Sequence, residues 1–76
     1  MTPPVGTAER QAAAELVRLA DRLANVDPLD PDWLNLVALN NRAWQRLVNI
    51  CGSELRADAV WRGVMIALRA DRGAVA

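Results

Sequence analysis

Few side chains of this 76-residue chain have the chemistry for catalysis, and those few lack their usual partners. Cys51 and Ser53 are the candidate nucleophiles, and a single glycine separates them. Either nucleophile needs a neighbouring base, most often histidine, and the chain contains no histidine and no tyrosine. We therefore predict that Ser53 caps a helix, that Cys51 is a small buried hydrophobic residue, and that the protein is not an enzyme.

The acidic segment DPLDPD, residues 27–32, is the other place where chemistry is conceivable. Asp27 and Asp30 form a carboxylate pair, but their spacing does not follow that of a calcium-binding loop. The sequence also lacks a cluster of cysteines and histidines that would hold zinc. Turn formation and helix capping account for both acids. We therefore expect no metal site and no cofactor.

The hydrophobic periodicity along the chain is helical throughout, and no segment alternates as a strand does. It predicts a single all-α domain over residues 1–76, folded as a small three-helix bundle. The expected helices are 8–25, 31–51 and 54–72, after a flexible leader, MTPPVG, over residues 1–6.

Local signals place the ends of these helices. Thr7 is the expected cap of the first helix. Asp30 followed by Pro31 is a typical cap and first helical residue, so these two residues should begin the second helix. Gly52 with Ser53 should separate the second helix from the third, and Gly73 should end the third with a positive φ angle.

The core must be built largely from small residues. The chain is 53% hydrophobic but only 4% aromatic, and all three aromatic residues are tryptophans. A domain of this size buries a limited share of its surface, so these large side chains should be central. The predicted core residues are Leu16, Leu23, Trp33, Trp44, Leu47, Trp61 and Leu68.

The third helix is apolar on two sides. Ala57, Trp61 and Leu68 belong to one stripe, and the second stripe consists of Leu55, Ala59, Ile66 and Ala70. In one interpretation both stripes are internal, because each helix of a three-helix bundle has two neighbours. In the other, the second stripe faces a partner protein or a second copy of the chain. Leu55, Ala59 and Ile66 are therefore candidate partner-binding residues.

Asn40 is a polar residue in the middle of the apolar face of the second helix. An asparagine in this position can form a hydrogen bond across the bundle and fix the register of the helices, or it can touch water at the rim. A third interpretation is a polar anchor at a protein interface, because an amide both donates to and accepts from a partner's backbone.

The stretch Asn40-Asn41-Arg42-Ala43-Trp44 resembles the N-x-R-hydrophobic-W signature of the FlaF family, small helical regulators of flagellin biosynthesis. A Leu/Ala-rich helix after Glu9 and a downstream LRADAV segment, residues 55–60, are also similar to that family. The resemblance covers about residues 7–70. It implies a non-enzymatic adaptor that binds flagellin and links its synthesis or export to assembly. Asn40, Arg42 and Trp44 would be the matching positions.

Charge and composition bound the other possibilities. The formal net charge is zero, whereas nucleic-acid-binding domains usually carry a basic excess. A small helix-turn-helix regulator over residues 47–68 remains an alternative, as does a phage or mobile-element inhibitor that occupies the surface of a host complex. One cysteine, no signal-peptide pattern and no apolar run of ~20 residues favour a cytoplasmic protein without a membrane span.

Overall fold

The structure, a computed structural model, describes the backbone of residues 5–75 and the side chains of residues 5–71. It contains three helices: α1 (Thr7–Ala24), α2 (Trp33–Cys51) and α3 (Glu54–Val75). No strand occurs within residues 5–75, and the three helices pack against one another. The predicted all-α three-helix bundle is thus confirmed. Most of the expected leader, residues 1–4, lies outside the described part of the chain.

The start of α1 and the end of α3 differ from the predicted ones. Gly6, not Thr7, is the cap of α1, and its backbone N–H donates to Glu9 Oε1 at 3.2 Å. Helix α3 continues through Gly73 to Val75. Glycine permits a left-handed helix end without enforcing one, and the Ala-Val that follows is compatible with a helix.

Helix α2 begins at Trp33, two residues later than predicted, because the acidic segment forms turns of its own. Asp27 Oδ1 accepts the backbone N–H of Leu29 at 2.9 Å, and Asp30 Oδ1 accepts that of Asp32 at 2.9 Å. These are turns closed by an aspartate side chain two residues upstream. The first regular helical bond joins Leu36 N–H to the carbonyl of Asp32, at 3.0 Å.

The turn between α2 and α3 follows the prediction. Gly52 has φ 85°, a left-handed conformation that suits glycine, and its N–H donates to the carbonyl of Val48 at 2.8 Å. Ser53 Oγ accepts the backbone N–H of Arg56 at 3.1 Å, so Ser53 caps α3. Two residues thus reverse the chain and hold the start of α3 beside the end of α2.

The bundle is flat, and its core is thin. Its principal extents are 45 × 34 × 17 Å, and the short one is less than two helix diameters of about 10–12 Å each. Helix α1 packs against both α2 and α3, while α2 and α3 touch each other least. The buried side chains are mostly small: Ala12, Ala13, Leu16, Val17, Leu36, Ala43, Leu47, Ala57 and Val60.

The predicted core residues are therefore buried to different degrees. Leu16 and Leu47 are buried, and Leu47 is wholly inaccessible. The other five are only partly buried: Leu23, Trp33, Trp44, Trp61 and Leu68. Three of them are tryptophans, and a bundle this thin does not enclose an indole ring. Trp44 and Trp61 pack against the edge of the core cluster.

The second stripe of α3 faces solvent, so the interpretation in which both stripes are internal is wrong. Leu55 is 84% exposed and Ile66 is 64% exposed, and Ala59 and Ala70 are exposed as well. The reason is the flat arrangement, in which α3 is covered by α1 along one side and by α2 to a smaller extent. We call Leu55, Ala59, Ile66 and Ala70 the outer stripe of α3.

Candidate functional site

One polar cluster joins the three helices at one end of the bundle. Arg56, at the start of α3, donates two hydrogen bonds to the carboxylate of Glu9 in α1: from Nε to Oε2 at 2.7 Å and from Nη2 to Oε1 at 3.0 Å. The side chains of Glu9 and Arg56 are only 13% and 25% exposed. Cys51, the last residue of α2, completes the cluster.

The cluster shifts the protonation equilibria of its members. The pKa of Glu9 is lowered to about 2, first by the hydrogen bond from Arg56, then by those from Cys51 and from the backbone of Gly6. The pKa of Cys51 is raised to about 11, first by desolvation and then by Glu9. At neutral pH the thiol is therefore protonated, and a protonated thiol is a poor nucleophile.

Sequence reasoning missed this cluster. Glu9 lies in the first turn of α1, where the helix dipole alone accounts for an acid, and Arg56 lies on another helix. Their pairing spans 47 sequence positions, so no local pattern announces it. The cluster has a structural role: a bidentate pair, the stronger kind of Arg–carboxylate contact, joins α1 to α3, and the thiol of Cys51 links α2 to the same carboxylate.

The other side chains considered for catalysis or metal binding accept hydrogen bonds from the backbone. Ser53 caps α3, and Asp27 and Asp30 close turns, as described above. Among the described residues, no group of three or more histidine, cysteine, aspartate or glutamate side chains is arranged to hold a metal ion. None of the described helices is long and apolar enough to cross a membrane.

A pocket of about 290 Å³ opens where the three helices meet, and Asn40 lines it. Its walls come from α1, α2 and α3, and they combine two indole rings with small apolar side chains and polar groups. We call it the three-helix pocket, and its lining residues are Leu16, Ala20, Asn40, Asn41, Trp44, Asp58 and Trp61.

Two polar atoms of residues lining this pocket have no hydrogen-bond partner. Among the side chains of residues 5–71, Asn40 Oδ1 and Trp61 Nε1 are the buried atoms left unpaired, each exposing less than 1 Å². A buried donor or acceptor without a partner costs about 1–3 kcal/mol. The predicted cross-bundle hydrogen bond of Asn40 through this oxygen is therefore not made.

A groove of about 600 Å³ runs along the other side of the outer stripe, between α1 and α3. On α3 its lining includes three small residues spaced four apart, Ala59, Gly63 and Ala67, beside the larger Val60, Val64 and Leu68. A Cβ atom added at Gly63 would meet nothing within 4 Å. The outer stripe thus lies between the three-helix pocket, which reaches Asp58 and Trp61, and this groove, which we call the α1–α3 groove.

The predicted partner-binding residues do not form one surface. Leu55, Ala59 and Ile66 share the outer stripe of α3. Asn40 lies in the three-helix pocket, and Arg42 is exposed on the polar side of α2, beside Gln45 and Asn49 in an open depression. The structure therefore brings the α3 residues together and separates them from the positions that match the FlaF signature.

Comparisons with protein families, with curated proteins and with solved structures gave no match to this chain. The resemblance to the FlaF family accordingly stays a prediction from the residues quoted above.

Proposed function

We propose that the protein is a non-enzymatic binding module that docks another protein onto the outer stripe of α3. The observation that carries this proposal is the exposure of Leu55 and Ile66, 84% and 64%, on the same side of one helix. Burial of apolar surface is worth about 25 cal/mol per Å², so a partner that covers these side chains gains affinity from them.

The α1–α3 groove gives the partner a shape to fit. Its exposed small residues on α3, Ala59, Gly63 and Ala67, have short side chains that let another backbone come close. An amphipathic helix laid into such a groove buries its apolar face, which is a common mode of peptide recognition. Ala59 belongs to both the groove and the outer stripe, so one helix can cover parts of both.

The partner we propose is a flagellin-like subunit, and this rests on the resemblance to the FlaF family alone. In that case the protein acts in the cytoplasm as an adaptor that links the synthesis or export of the subunit to its assembly. An inhibitor that occupies a host complex would use the same surface, and the identity of the bound protein distinguishes the two functions.

The ion pairs of the arginines on α3 disfavour the helix-turn-helix alternative. Arg56 is held by Glu9, and Arg62 Nε lies 3.0 Å from Asp58 Oδ2 within α3. A recognition helix needs arginines that are available for phosphates and bases, and two of those on α3 already have carboxylate partners. We therefore rank protein binding above DNA binding.

The experiment is affinity capture from native cell extract, followed by reconstitution with the purified captured protein. Leu55→Glu/Ile66→Glu places charges on the outer stripe, and because both side chains are exposed we expect its helicity to match that of the parent. Leu29→Glu/Leu34→Glu is the matched control, because these leucines are 91% and 70% exposed. Leu29 lies in the turn segment before α2 and Leu34 in the first turn of α2, so neither belongs to the outer stripe of α3.

We expect the parent to capture one dominant protein. The Leu55→Glu/Ile66→Glu variant should fail to capture it, and the Leu29→Glu/Leu34→Glu control should still capture it. A flagellin-like subunit supports the adaptor role, and a subunit of another machine supports the inhibitor. Equal capture by both variants would contradict docking at this stripe. Light scattering on the purified chain adds a further arm: a dimer that the stripe variant converts to monomer would show that a second copy covers the stripe.

A further inference from the structure

We propose that the three-helix pocket binds a neutral carboxamide group, whose N–H donates to Asn40 Oδ1 and whose C=O accepts from Trp61 Nε1. The proposal goes beyond the docking of a protein on α3, because it concerns another surface and a free amide is enough to fill it. It rests on the two unpaired polar atoms and on the residues around them.

The two unpaired atoms select the chemistry of the ligand. Asn40 Oδ1 needs a donor, and Trp61 Nε1 needs an acceptor. A carboxylate offers acceptors only, so it leaves Asn40 Oδ1 unpaired. An ammonium group offers donors only, so it leaves the indole N–H unpaired. A carboxamide carries a donor and an acceptor in one planar unit, so it offers a matching group to each of the two atoms.

The charge and the volume of the pocket also favour a small neutral ligand. Asp58 places a carboxylate in the wall of the pocket, where it repels anions, and its partner Arg62 lies on the exposed side of α3. The volume of about 290 Å³ is at the lower limit of ligand pockets, about 300–1,000 Å³. It therefore accommodates a small amide flanked by Trp44 and Leu16 rather than a nucleotide-sized cofactor.

Entry of the ligand requires a local movement, because both unpaired atoms are covered. The terminal torsion of an asparagine side chain is soft, so the amide of Asn40 turns at little cost. Binding can be followed by nuclear magnetic resonance, because a new hydrogen bond at the indole N–H changes the resonance of Trp61.

The test is nuclear magnetic resonance of the ¹⁵N-labelled protein, which contains three tryptophans and so three indole N–H signals. Each signal is assigned with a Trp→Phe variant. The protein is titrated with butyramide, butyrate and butylamine, which share a carbon chain and differ in the polar group. Acetylalanine N-methylamide is the fourth probe, because it carries peptide amides and no primary carboxamide.

We expect butyramide to shift the Trp61 signal saturably, with butyrate and butylamine causing no such shift. The Trp33 signal is the internal control, because Trp33 does not line the pocket. Asn40→Leu should weaken butyramide binding at least 10-fold, measured from backbone amide shifts. Trp61→Phe keeps an aromatic ring but lacks the N–H, and it should weaken binding to a similar extent, so the test does not depend on one variant folding.

The other probes and variants distinguish a peptide amide from a primary carboxamide, and amide binding from a site that binds no amide. Binding of acetylalanine N-methylamide assigns the pocket to a peptide backbone, whereas binding of butyramide alone assigns it to a primary carboxamide. Leu55→Glu/Ile66→Glu should retain amide binding, so failure of the α3 docking surface leaves this result intact. Absence of any shift with either amide would mean that water alone, or a bond between the two side chains, occupies the site, and it would overturn the proposal. So would equal shifts with butyrate.

Discussion

Glu9 and Arg56 form a bidentate ion pair, with contacts of 2.7 and 3.0 Å, between residues 47 positions apart in the sequence. Glu9 also accepts the backbone N–H of Gly6, which precedes α1. Since Arg56 lies in the first turn of α3, this single pair fixes the starts of two helices beside each other. The outer stripe and the α1–α3 groove both depend on that placement.

Acid should weaken the fold through Glu9. The pKa of Glu9 in the folded chain is about 2, below its ordinary value of 4.5. A carboxylate with a depressed pKa stabilises the fold above pH 4.5, and this contribution is lost as the pH falls from about 4.5 to about 2. We expect Glu9→Gln to lower Tm at pH 7 and the difference from the parent to shrink toward zero at pH 2, as measured by circular dichroism.

Glu15→Gln is the control for that experiment. Glu15 lies 3.8 Å from Arg46 with both side chains at least half exposed, and exposed pairs of this kind contribute about 0–1 kcal/mol. The control variant keeps the Glu9 carboxylate and so should keep the acid-dependent loss of Tm. A Tm difference between the parent and Glu9→Gln that persists unchanged at pH 2 would contradict the assignment.

The thiol of Cys51 should react slowly while the chain is folded. Its pKa is raised from 9.0 to about 11, so at pH 8 the reactive thiolate fraction falls about 100-fold relative to the unfolded chain. Iodoacetamide labelling followed by mass spectrometry should show at least this difference in rate with and without denaturant. Similar rates in both states would show that neither desolvation nor Glu9 protects the thiol.

Two glycines should respond to alanine in opposite directions. Gly52 has φ 85°, and alanine in that left-handed conformation costs about 1–2 kcal/mol. Gly63 lies inside α3, where a Cβ atom meets nothing within 4 Å, and alanine there should stabilise the helix by about 0.5–1 kcal/mol. Urea denaturation of Gly52→Ala and Gly63→Ala tests both signs, and a destabilised Gly63→Ala would mean that the α1–α3 groove is more closely packed than described.

Two leucines test the position of the core. Leu47 is fully buried and Leu55 is 84% exposed. Leu47→Ala should cost about 2–5 kcal/mol in the free energy of unfolding, because it leaves a cavity in the thin core. Leu55→Ala should change it by less than about 0.5 kcal/mol, as expected for a surface position. Comparable losses for the two variants would place Leu55 in the core.

Much of the fold was predictable because its determinants are local. Helical periodicity defined the three helices, and the residue types Gly52 and Ser53 defined the turn between α2 and α3. The ends that were predicted wrongly, at Gly6, Trp33 and Gly73, depend on which of two neighbouring residues closes a turn. Such choices differ little in energy, so the sequence does not separate them.

The candidate sites were harder to predict, because they depend on how the helices are arranged. The sequence singled out Asn40 as an unusual polar residue, but Trp61 carried no sign that its N–H would be left without a partner. The two apolar stripes of α3 were evident, whereas their exposure follows from the flatness of the bundle. No periodicity in a single helix contains that information.

The most direct test of docking on α3 is a methyl spectrum of the protein labelled at isoleucine, which occurs only at positions 50 and 66. Ile66 lies on the outer stripe, whereas Ile50 lines the open depression on α2 beside Arg42 and Asn49, so its signal is a control within the same sample. On titration with the purified captured partner, we expect a saturable shift and loss of solvent exposure at Ile66, with Ile50 unchanged. A partner that binds with no change at Ile66 would show that docking does not occur on the outer stripe.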